Sequence, residues 1–293
     1  MFQSCLICTK LSDGLDRLAD FVPSLAKGGI KQIIFLHCLP LWKGGNIPLE
    51  EEKRVKFARE SFSSAFKNLP LGAEVKVEVV FGSPLEVIPR LLETYPVEVI
   101  ILGNRLDSSW EEKFFGSTVM GLAKLTSIPL MIIRPQLMTI FTEEELDLRC
   151  QHLWRYLMIP YNDSPDAQYL ITRIKDSVKK RPERAPSRCL LVSVIDDSSR
   201  EEIVAANRLE QAREKLEQVG AELEALNLQV DRSIRKGNPL QQIAEVALSN
   251  NVSTIALASR DHHSLFDALL PRFANQLLHL SWIPILWFAD GQH

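Results

Sequence analysis

Gly103, Arg105, Gly116, Ser117 and Thr118 have the types and spacing to hold an anion. The apolar run Val99-Ile100-Ile101-Leu102 leads straight into Gly103, as a strand buried on both faces does before a tight turn. Gly116-Ser117-Thr118 then opens a helical run from Val119 to Leu125. A glycine lets backbone come close to a ligand, and the free N–H groups and dipole of a helix start favour phosphate. Pro129 to Ile133 reads as the next strand, so the elements that position these residues are strand, glycine turn, loop, helix start and strand.

The same unit occurs twice. A constant shift of 155 carries Gly82-Ser83-Pro84 onto Gly237-Asn238-Pro239, Val99–Arg105 onto Thr254–Arg260, and Ile128-Pro129-Leu130 onto Ile283-Pro284-Ile285, without a gap. The chain is therefore a tandem duplication. The expected division is a first domain over 1–137, a link over 138–151 and a second domain over 152–293.

Each half follows one order. In the first, Ser4–Thr9 is a strand, Asp13–Leu25 a helix by its apolar period, and Gln32–Cys38 a second buried strand. Leu49–Leu69 is a charged helix and Val75–Val80 an alternating, more exposed strand. Ser83, Pro84 and Glu86 then start a helix that runs to Thr94. The second half repeats this with strands at Arg155–Ile159, Cys189–Ile195, Gln229–Ile234, Thr254–Ala258 and Pro284–Phe288. The alternation implies an α/β fold of two tandem doubly wound domains, each a mostly parallel five-stranded sheet flanked by helices.

The spacing Gly103-x-x-Leu106, nine residues, Gly116-Ser117 resembles that of the universal stress protein family, whose nucleotide-binding members carry G-x-x-G, nine residues, then G followed by Ser or Thr. Gly82-x-Pro84, His37 at the end of the second strand, the Ile-Pro strand of each half and the opening Ile159-Pro160-Tyr161-Asn162-Asp163-Ser164 extend the resemblance over nearly the whole chain. It implies the fold of the adenine nucleotide alpha hydrolases, with ATP at the carboxyl ends of the strands and Mg²⁺ accompanying it. Carried over residue by residue, the surroundings of the nucleotide would be Thr9, Ser12, His37, Gly82, Gly103, Arg105, Gly116, Ser117 and Thr118.

Two departures bear on that site. Leu106 stands at the second motif glycine, where its bulk restricts close approach of a phosphate, and Lys10 stands where the opening turn should supply an acid. The second half departs further: the shift of 155 gives Ala258, Asp261, Pro271 and Arg272 for Gly103, Leu106, Gly116 and Ser117, with Asn162 as a neutral stand-in for the acid. ATP is thus expected in the first domain only, leaving the second to structure, pairing or regulation.

Other chemistries have less support. Cys5 and Cys8 lie three apart on a strand and point to opposite faces, which suits neither a metal nor a redox pair. His262-His263 beside Asp261 lack the further ligands a metal needs, so no metal site is assigned. There is no nucleophile elbow and no Walker A sequence, and no catalytic residue is assigned.

Composition narrows the setting. A formal net charge of -3 gives no electrostatic case for nucleic acid, and no apolar run reaches the length of a membrane span. Five cysteines, mostly in apolar strands, and an N-terminus without a signal-peptide pattern point to the cytoplasm. The expectation is a stress-response binding or regulatory module. The alternatives are slow ATP hydrolysis in the first domain, at most weak, or a ligand-free structural or partner-binding protein. The resemblance also implies that the halves pair through their last strands as an internal pseudo-dimer. It leaves room for a homodimer and for a regulatory protein partner. Trp282, Trp287 and Phe288 lie near those strands.

Overall fold

The computed structural model describes residues 1–41, 48–104, 117–180, 183, 186–195, 202–260 and 269–291. The chain divides into two compact units, one of Phe2–Gln151 with the residues from Gly291 and one of His152–Asp290 with Met1.

The first unit contains strands β1 (Ser4–Thr9), β2 (Gln32–Leu39), β3 (Glu74–Phe81), β4 (Val99–Gly103) and β5 (Leu130–Ile133). Its helices are α1 (Val22–Lys27), α2 (Pro48–Glu60), α3 (Pro84–Thr94), α4 (Ser117–Leu125), α5 (Pro135–Met138) and α6 (Glu143–Gln151). The strands lie in the order β3-β2-β1-β4-β5 and pair in parallel. Strand order reverses between β1 and β4, which opens a crevice at their carboxyl ends. Leu6, Ile7, Ile100, Ile101, Met131 and Ile132 are fully buried, because parallel strands covered on both faces need apolar side chains on both.

The second unit repeats the order as β8-β7-β6-β9-β10, with β6 (Tyr156–Pro160), β7 (Arg188–Ile195), β8 (Gln229–Lys236), β9 (Thr254–Ser259) and β10 (Ile285–Ala289). Its helices are α7 (Pro165–Lys180), α8 (Glu202–Glu224), α9 (Pro239–Ser249) and α10 (Leu269–Leu280). Cys5 pairs with Val99 in one unit and Leu157 with Thr254 in the other, so the register at the crevice is the same in both.

Local signals account for several boundaries. Ser83 N donates to the Glu86 carboxylate at 3.4 Å and Pro84 opens α3; Asn238 caps α9 by accepting from Leu240 N at 3.0 Å and Gln241 N at 3.2 Å. The first helix differs from expectation: Leu15–Phe21 is a 3₁₀ helix and the α-helix begins only at Val22. Gly14 at φ 87° and Pro23 in the first turn of α1 divide the run. The charged helix of the first half also stops early, at Glu60, with a short 3₁₀ turn at Ser63–Phe66 beyond it. The link over 138–151 contains α6, which packs on α1. There a Ser24 hydroxyl donates to the Asp147 carboxylate. Trp287 and Phe288 are buried, whereas Trp282 is 48% exposed. Among the described residues no helix is long and apolar enough to cross a membrane.

Candidate functional site

The crevice of the first unit begins where β1 ends. Thr9 is buried and its hydroxyl donates to Asp13 Oδ1 at 3.0 Å while accepting from Leu11 N at 3.1 Å. The same carboxylate accepts from Leu15 N at 3.1 Å and, through Oδ2, from Lys10 N at 3.2 Å. Asp13 therefore ties the opening turn together. It is the acidic side chain of this turn, four residues after Thr9 and three after Lys10. Lys10 and Ser12 are exposed on this turn.

His37 pairs with Thr9 across the β1–β2 ladder, and its Nδ1 lies 3.0 Å from the Thr9 carbonyl oxygen. A carbonyl only accepts, so Nδ1 carries the proton and donates. The ring is buried and held in place by that bond. Gly82 follows β3 at φ 136°, where its N–H donates to Leu39 O at 2.9 Å, and Gly237 makes the matching turn at φ 119° with a bond to Ile195 O at 3.0 Å. A positive φ explains both glycines without a ligand.

Gly103 ends β4, and the position a side chain would take there is filled by protein: a Cβ would lie 2.6 Å from Pro135 Cγ and 3.0 Å from Leu15 Cδ1. Close packing of the 3₁₀ helix and α5 against the strand end thus requires this glycine. Thr118 lies half-buried in the first turn of α4, and Ser117 is that helix's first residue. Arg105, Gly116 and the motif departure Leu106 lie outside the described residues, as do Asp261, His262 and His263. The structure thus gathers Thr9, Ser12 and His37 around one strand end and sets Gly82 in a separate turn. Cys5 and Cys8 both sit on β1, where burial pushes both thiols up, far from the reactive range. No group of three metal-ligating side chains occurs among the described residues.

The second unit has a cleft of about 340 Å³ at the carboxyl ends of β6, β7 and β9. The opening turn forms one side. Asn162 Oδ1 accepts from Ser164 N at 3.2 Å, Ser164 Oγ accepts from Ala167 N at 3.2 Å, and Asp166 Oδ1 accepts from Arg260 N at 2.8 Å. Next to them Tyr161 donates to Asp163 Oδ1 at 2.9 Å. Burial, then that bond, raises the tyrosine's pKa. Bonds from Gln168, Lys215 and Tyr161 lower that of Asp163. The apolar inner wall was not foreseen: its contributors Ala167, Ile243 and Phe273 come from three helices, and only the tertiary fold brings them together.

The family model for the Universal stress protein family matches residues 1–134 and again 154–288. A universal stress protein from Archaeoglobus fulgidus is similar over its full length: 21% identity, 99% of this chain and 100% of that one, TM-score 0.66. A functionally unknown protein from Pseudomonas aeruginosa matches at 14% identity over 98% of this chain and 92% of that one, TM-score 0.57. A search of the curated proteins finds no match. At these identities the solved structures speak for the fold, while two family matches that together span most of the sequence carry the assignment. With the five-stranded parallel sheet built twice in the same register, the chain belongs to the universal stress protein family as a tandem of two of its domains.

Proposed function

We propose that this tandem universal stress protein is a regulatory binding module that takes ATP, with Mg²⁺ accompanying it, in its first domain. The observation that carries the reading is the junction at the strand-order switch, where β1 ends in an ordered turn and α4 starts at Ser117 after β4. Crevices of this kind are where doubly wound sheets take ligands, and a helix start there favours phosphate. Leu15 and Pro135 occupy the side of Gly103, so contacts to the phosphates fall to the residues beyond β4 and to the first turn of α4. Thr9, Asp13 and His37 are engaged with one another or with backbone, which supports binding over catalysis.

The duplication further supports pairing of the two domains through their last strands, association of two chains, and signalling through a protein partner in the cytoplasm. Calorimetric titration with ATP, ADP and AMP, beside a Gly116→Trp variant, tests the nucleotide site. Saturable binding near one nucleotide per chain that disappears in the variant is the expected result. No heat from folded protein with any of the three would end the proposal. Sedimentation of the full chain with concentration tests association.

A further inference from the structure

We infer that the cleft of the second domain is a site for a neutral, mostly apolar small molecule, unlike the anion proposed for the first domain. Its volume of about 340 Å³ falls within the roughly 300–1,000 Å³ range of small-ligand sites. The walls come from Ala167 and Leu170 of α7, Ile243 of α9 and Phe273 of α10, with Val192 and Leu257 at the strand ends.

Charge decides the ligand class. Among the described residues lining the cleft there is no Lys, Arg or His, and the one acidic side chain is Asp166. An anion entering such a cleft loses water without gaining a cation in the wall, and it meets a like charge. The Ser164 hydroxyl and the Asn162 carbonyl already accept backbone N–H groups. The Ser164 O–H and the carboxamide N–H groups of Asn162 are donors at the rim, suited to an acceptor on one edge of an otherwise apolar ligand.

Two dyes with one ring system separate the effects of shape and charge. The full chain is titrated by fluorescence with N-phenylnaphthylamine, which is neutral, and with anilinonaphthalenesulfonate, which adds an anion. The neutral dye is expected to saturate, and the sulfonate to bind at least about ten-fold more weakly. Val194→Trp, which sets an indole into the cleft from a half-buried strand position, abolishes the neutral dye's signal. Its circular dichroism and cooperative melting distinguish filling from unfolding. Asp166→Asn keeps an oxygen for Arg260 N and removes the charge. It should tighten the sulfonate about five-fold and leave the neutral dye unchanged.

Excess ATP should not displace the neutral dye, which makes the outcome independent of the first-domain reading. Any of several results would overturn the inference: no saturable binding of the neutral dye, equal binding of the sulfonate, undiminished binding in a folded Val194→Trp variant, an unresponsive Asp166→Asn variant, or displacement by ATP.

Discussion

Leu11 and Asp163 hold the same left-handed backbone, φ 61° and φ 59°, each seven residues past the start of the first strand of its domain. Asp163 is suited to it, with hydrogen bonds from Tyr161 and Gln168 and an ion pair to Lys215 at 3.0 Å. Leucine is not, since its Cβ crowds the backbone at positive φ. It stays there because Thr9 takes its N–H and Asp13 closes the turn. Leu11→Val should therefore destabilise the protein, because a β-branched side chain fits a positive φ worse than leucine does. Leu11→Asn should be tolerated far better. Urea denaturation of both variants measures the difference, and equal midpoints would show that the turn is unstrained.

Thr9→Val keeps the shape and removes the hydroxyl that joins Asp13 to Leu11. Two hydrogen bonds in a half-buried turn are lost, a cost of about 1–3 kcal/mol. Chemical denaturation reads the loss directly. A valine variant as stable as wild type would mean that water replaces the hydroxyl.

Gly28 and Gly220 make contrasting alanine variants. A Cβ on Gly28 would lie 2.8 Å from Gln151 O and 2.9 Å from Cys150 O, which are backbone atoms of α6 and its C-terminal end. Relief requires α1 and α6 to move apart, at about 1–3 kcal/mol. The atoms nearest a Cβ on Gly220 are those of the Arg232 guanidinium, the far end of a long side chain. Helix propensity gains up to about 1 kcal/mol there, offsetting weakened ion pairs to Glu217 and Glu224. Thermal melts should show a clear drop for Gly28→Ala and little change for Gly220→Ala.

Arg188, Asp231 and Tyr156 make stability depend on pH at both extremes. Hydrogen bonding from Arg188, joined by that from Tyr156 at 2.9 Å, holds the Asp231 carboxyl below its ordinary value against the opposing effect of burial. A folded-state pKa below the unfolded one means stabilisation that is present above the ordinary carboxylate range and lost as pH falls through the depressed value. Asp231→Asn should thus be destabilising near neutrality and approach wild type only as the pH falls below the ordinary aspartate range. Burial, then the bond to Asp231, pushes Tyr156 from 10.0 to about 12. A raised value gives stability that is complete below the unfolded pKa and lost as pH rises through the folded one. Tyr156→Phe should flatten that alkaline loss, as melts taken across the range would reveal.

The sequence by itself determined the duplication, the alternation of strands and helices, and the family. Each is written in local pattern: apolar runs such as Val99–Leu102 and Thr254–Ala258, the Ile-Pro starts of the last strands, and the Ser83-Pro84-Glu86 helix opening. Such signals depend on residues a few positions apart, and the chain carries them whatever its tertiary contacts. Tertiary structure decided why particular residues are there. Pro135 and Leu15 beside Gly103 and the φ of 136° at Gly82 give these glycines a packing and a backbone reason that the sequence does not display. Asp13 reads as a helix-start acid until its two oxygens are found on Thr9, Lys10 and Leu15. The second-domain cleft is the extreme case, since Ala167, Ile243 and Phe273 are distant in sequence. Their common wall follows from which helices cover the strand ends, and packing of that kind leaves no periodic trace along the chain.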